Sequence, residues 1–147
     1  MDDIFDIKFS FEQKVKEEVI DYFSAKQGGQ FGVFNYQWQC FVWAATIGFI
    51  KNKKLPLGSP IADKPFNLKT MLNTDGEKDA RALICMCVAR AGKLDILKNP
   101  EDAINLINQY ANGGFHWIMD EMKDNPALNG FEWVKREVFT RSPAVDI

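Results

Sequence analysis

Residues 99–122 read Asn-Pro-Glu-Asp-Ala-Ile-Asn-Leu-Ile-Asn-Gln-Tyr-Ala-Asn-Gly-Gly-Phe-His-Trp-Ile-Met-Asp-Glu-Met. Asn99 suits an N-cap, Pro100 the first helical position, and Glu101 and Asp102 the positive end of the helix dipole. Ile104, Ile107, Ala111, Phe115, Ile118 and Met122 then recur at helical spacing, and Leu106, Tyr110 and Trp117 widen the stripe. The spacing predicts a helix over 100–123. Only Gly113-Gly114 interrupts it. A helical glycine costs about 1 kcal/mol against alanine, so the pair calls for a kink, a break or a close packing contact.

The same signals recur upstream. Thr74-Asp75-Gly76-Glu77 has the form of a capping box. Behind it Ala80, Leu83, Ile84, Cys87, Val88 and Ala91 follow one helical face up to Gly92, which predicts a helix over 76–91. Residues 36–51 are apolar on nearly every side, as in a central, surrounded helix, with Asn35 as its cap. Ala44, Ala45 and Gly48 would let a neighbour approach that helix, and Lys51, Lys53 and Lys54 suit its negative end. Ser10-Phe11-Glu12-Gln13 resembles another capping box, opening a helix over 10–24 with Phe11, Val15, Val19, Tyr22 and Phe23 on its apolar face. Gln27-Gly28-Gly29-Gln30 ends it.

Between 53 and 73, Pro56, Gly58, Pro60 and Pro65 forbid a long helix, leaving a long irregular connection with room for a short strand or helical turn. Such connections are often functional. Downstream, Asn125-Pro126 repeats the start signal for a helix over 126–139, carrying Phe131, Val134 and Val138, before a loose tail over 140–147. Strand-like pattern is confined to Ile4–Phe9 and Phe31–Phe34. The expected fold is all-α: one compact domain of about five helices, 1–147.

Bulk properties fit this picture. The chain has 147 residues, 46% of them hydrophobic, with twelve Phe and four Trp, enough apolar surface for a core without a disulfide or metal staple. Net charge is −2, so any attraction for nucleic acid would have to be local. The acidic start Met1-Asp2-Asp3-Ile4 does not resemble a secretion signal. The longest apolar run, 40–50, falls short of the roughly 20 residues of a membrane span. The expected compartment is the cytoplasm, with no membrane contact.

Few residues suggest chemistry. Cys40, Cys85, Cys87 and His116 contain the right atoms for zinc, but Cys85 and Cys87 stand two apart on a helix and diverge. Buried free thiols are the simpler reading, and no metal or cofactor is expected. His116 is the only histidine, with no Ser or Cys nucleophile motif around it. Phosphate-binding glycine loops are absent from the sequence. Two candidate regions remain. Lys51, Lys53 and Lys54 are nucleic-acid contact candidates, or simply a solvated helix end. Tyr110, Asn112, Gly113, Gly114, His116 and Trp117 are pocket or interface candidates, since paired glycines let a ligand approach the backbone.

Phe41-Val42-Trp43-Ala44-Ala45-Thr46-Ile47-Gly48-Phe49, followed by Lys53-Lys54-Leu55-Pro56-Leu57, together with Tyr110-Ala111-Asn112-Gly113-Gly114, resembles the small accessory proteins of DNA-phosphorothioation (Dnd-type) defence loci. The likeness spans residues 35–122. It implies a bacterial defence setting and a role near DNA or a protein complex, and it carries no defined activity. The leading expectation is therefore a non-enzymatic accessory module with a protein partner or a homo-oligomeric state. The alternatives are direct nucleic-acid binding through the lysines, or a small-ligand or enzymatic pocket near Tyr110–Trp117.

Overall fold

The computed structural model describes residues 3–24 and 34–124. The expected helix over 126–139, the tail, the glycine breaker near 28 and residues 31–33 lie outside the described residues. Within them the fold is all-α. Helix α1 runs through Gln13–Val15, Lys16–Ile20 and Asp21–Phe23, α2 is Gln37–Lys51, α3 is Leu68–Leu72 and α4 is Glu77–Ala91. A 3₁₀ turn, Leu94–Lys98, leads into α5, Pro100–Asp124. No strand forms among the described residues; there are two isolated bridges, Glu12 with Pro60 and Ser24 with Phe34.

Three helix starts differ from the sequence expectation. Ser10 does not cap α1. It is buried, its N–H donates to Asn108 Oδ1 at 3.0 Å, and the helix begins three residues later behind Glu12. Packing of Phe9 and Phe11 into the core, with their backbone bonds to Phe66 and Ile61, keeps this segment out of the helix and overrides the local capping signal. Thr74 does not cap α4 either, because its hydroxyl bonds back to Thr70 O and receives the Trp38 indole N–H. Gly76 takes the cap position instead. A capping pair does form inside the proline-rich connection, where Asn67 Oδ1 accepts from the Thr70 amide at 2.8 Å and starts α3. For α2 the cap position is Tyr36 rather than Asn35, and the Gln39 side chain accepts from both amides.

The middle of α1 is a π-turn, Lys16–Ile20. Widening to an i→i+5 pattern brings residues five apart into line, and Lys16 Nζ accordingly meets Asp21 at 2.9 Å. The wider turn also lets Val15, Val19, Ile20 and Phe23 all reach full burial.

The core is aromatic. Phe41 of α2 sits 4.8 Å from Phe9, 5.5 Å from Phe66 and 6.2 Å from Phe115 between ring centroids. Helices α2 and α5 make the most extensive contact, and Gly114 with Gly48 explains it. Helix α5 passes through Gly113-Gly114 unbroken. A Cβ on Gly114 would stand 1.7 Å from Ala44 O, and one on Gly48 would stand 1.9 Å from Tyr110 O. The glycines mark backbone-to-backbone contact between two helices.

Candidate functional site

The proline-rich connection leaves α2 at Asn52, whose left-handed φ of 51° turns the chain back across α5. Lys53 O then lies so close to Gly113 that a Cβ there would stand 1.9 Å away, and the Leu55 amide donates to Gln109 O. The two glycines thus serve two contacts: Gly114 admits α2, and Gly113 admits the start of the connection.

Asn112 and His116, one helical turn apart on α5, face the same segment. Asn112 Nδ2 donates to Leu55 O at 3.3 Å and to Pro56 O at 3.1 Å, and lies 3.5 Å from Glu12 Oε2. All three neighbours are acceptors, so the NH₂ must face them. The other amide atom, Oδ1, is left buried without a partner among the described residues. His116 Nε2 pairs with Glu12 Oε1 at 2.8 Å, and Glu12 Oε2 accepts the Gly58 amide at 2.6 Å. Backbone bonds from Gln13 N to Ser59 O and from Ile61 N to Phe11 O complete the clasp.

Glu12 lies at the centre, with its side chain only 12% exposed. Burial by itself raises a carboxyl pKa. Here the Gly58 N–H, His116 and Asn112 together outweigh burial and hold Glu12 below its ordinary value. A carboxylate on imidazole is also the arrangement that orients a general base. Among the described residues, however, the imidazole bonds only Glu12. Among the described residues no hydroxyl or thiol bonds it as a nucleophile would.

The other candidates go elsewhere. Tyr110 is buried, stacks on Phe49 at 4.5 Å and bonds Asn52 Oδ1 through its hydroxyl at 3.3 Å. Arg90 of α4 bonds Phe49 O and lies 6.0 Å from the Tyr110 ring. Trp117 is half-buried, with Lys51 Nζ 4.5 Å from its ring centroid. Lys54 is exposed and Lys53 half-buried. Asn112 and His116 are therefore brought together, Tyr110 serves the end of α2, and Trp117 pairs with a lysine. Glu12, the partner of His116, escaped sequence reading because 104 residues separate them.

Residues 12–130 match the family model for DNA sulphur modification system-associated protein 4. The chain belongs to this family. The likeness seen in residues 35–122 extends in the match to residue 12, so it takes in Glu12, Asn112 and His116, the side chains of the clasp. Curated proteins and solved structures gave no match. In this family member the Tyr-Ala-Asn-Gly-Gly segment combines three structural tasks: Tyr110 against α2, Asn112 on the connection, and the glycines at the two backbone contacts.

Among the described residues no three His, Cys, Asp or Glu side chains gather as metal ligands. No helix among them is long and apolar enough to cross a membrane. Cys40 and Cys87 are buried and Cys85 is exposed. Burial pushes the Cys87 thiol up to about 11 and Cys40 higher still. A disulfide-exchange reagent at pH 8 should thus react quickly with one thiol, Cys85, in the native protein and with all three in denaturant. Rapid native reaction of Cys40 or Cys87 would contradict their burial.

Proposed function

We propose that this protein is a non-enzymatic accessory module that docks on another protein of a DNA sulphur-modification system. The supporting observation is the clasp. The only histidine, the best candidate for catalysis, bonds Glu12, while Asn112 holds carbonyls of the connection. The Tyr110 hydroxyl, the Asn112 NH₂ and His116 Nε2 are engaged in holding the chain together, which favours binding over turnover. Family membership supplies the setting.

Two measurements test this. Co-expressed with the other proteins of such a modification locus, the chain should co-elute with one of them in fixed stoichiometry on size-exclusion. Separate elution of every component at tens of micromolar would overturn the docking. In cells, His116→Gln should leave DNA sulphur modification at the wild-type level. A loss of about a hundredfold or more, the scale of a missing acid–base group, without a loss of folded protein would make His116 catalytic.

Direct nucleic-acid contact through Lys51, Lys53 and Lys54 is the second reading. The exposure of Lys51 and Lys54 favours it. It requires affinity that falls steeply with salt.

A further inference from the structure

A groove of about 370 Å³ lies between the N-terminal segment, the proline-rich connection and the first half of α5. From its lining we infer that it is a binding site for a nucleotide, free or as part of a DNA strand. Lys51, Lys53 and Lys54 do not line it.

The floor of the groove is polar. Ser10 and Asn108 line the groove and are 6% and 5% exposed. Ser10 Oγ is buried without a partner among the described residues. Asn108 uses its Oδ1 on the Ser10 amide, and no described residue bonds its NH₂. An unpaired buried group such as Ser10 Oγ at the base of a concavity is costly unless something else satisfies it.

The walls narrow the chemistry. Lys8 and Lys64 contribute two cations, both exposed and outside every described ion pair. Glu101 is the one acid of the lining, leaving it net positive in a chain of net charge −2. Lysine pairs of this kind hold phosphate without reading sequence. Asn105 and Gln109 add amide donors and acceptors suited to a base edge or a sugar. Leu57, Pro60 and Ile104 add apolar surface for a planar ring. The volume falls within the range of small-ligand sites. An inorganic anion would leave the amides and the apolar wall unused, and an apolar ligand would leave the lysines and the floor unsatisfied.

The test is titration of the full chain, at low salt, with a nucleoside 5′-monophosphate, a short single-stranded oligodeoxynucleotide and the matching duplex. At least one should bind saturably. Lys8→Ala with Lys64→Ala should weaken that binding at least tenfold, and Asn105→Ala should weaken it further. Both lysines and Asn105 are exposed, so these variants should keep the fold, which circular dichroism checks. The variant Lys51→Ala, Lys53→Ala, Lys54→Ala should bind as the wild type does. Tighter binding of the monophosphate than of either DNA identifies a free nucleotide, and the reverse identifies a strand; both support the site. Absence of binding by all three ligands at millimolar concentration overturns it. So does binding that follows residues 51–54 and ignores Lys8 and Lys64.

Discussion

Gly114→Ala should lower the stability of this protein by about 3 kcal/mol or more, and Gly113→Ala combined with it should prevent folding. On a free helix the same change stabilises by about 1 kcal/mol, because alanine loses less backbone freedom on folding. Here the sign reverses. The new Cβ would stand 1.7 Å from Ala44 O, and the obstructing atom belongs to backbone, so no side-chain rotation relieves it. Relief requires α5 to move away from α2, and the core around Phe41 and Phe115 would open with it. A fall of this size corresponds to a melting temperature lower by about 10 °C for a domain of this length. Thermal and urea melts read by circular dichroism check it, with Asn105→Ala on the exposed face of α5 as the control. A Gly114→Ala protein as stable as the wild type would remove the helix contact from the account.

The second large effect is expected at Glu12. Removing its side chain takes away the partner of the Gly58 amide, of His116 and of Asn112 at once. Hydrogen bonds to a charged group contribute about 1.5–3 kcal/mol, so Glu12→Ala should cost about 3 kcal/mol. It should also expose the connection, with trypsin cutting after Lys53 and Lys54 sooner than in the wild type. The acid dependence follows from the depressed pKa of Glu12. Its stabilisation is present in full above the ordinary carboxyl value of 4.5 and is lost as pH falls through the lower folded value. Glu12→Gln should flatten that acid limb while preserving much of the hydrogen bonding. An Ala variant with unchanged stability, protease resistance and acid midpoint would show that the clasp holds nothing.

The two positions differ in how far sequence could expose them. Gly113-Gly114 announces itself, because a paired glycine inside a long amphipathic stripe contradicts helix propensity and demands a compensating contact. Which contact it is depends on Ala44 and Gly48, themselves visible as small residues in an apolar helix. Glu12 carries no local sign. It sits in Ser-Phe-Glu-Gln, a stretch that reads as a helix start, and its meaning comes from His116 far along the chain. Ser10 misleads for the same reason: a serine three residues before a glutamine is a good cap locally, but Phe9 and Phe11 anchor it in the core ahead of the helix. The Asn67–Thr70 cap was hidden by the prolines around it. The groove is least legible of all, since Lys8, Lys64 and Asn105 belong to three segments that only the fold assembles.

The clasp also imposes an order on folding. Glu12 and Gly58 are 46 residues apart, yet His116 joins them only across 104. Contacts of such long sequence separation form late, after loop closure has been overcome. During synthesis, residues 12–61 emerge well before Asn112 and His116 can hold them. Until the helix from Pro100 is complete, the proline-rich connection has neither its glycine seat nor its carboxylate anchor. The last half of α5 therefore acts as the latch of the whole fold, and a ribosome paused before residue 116 carries a chain that is still open.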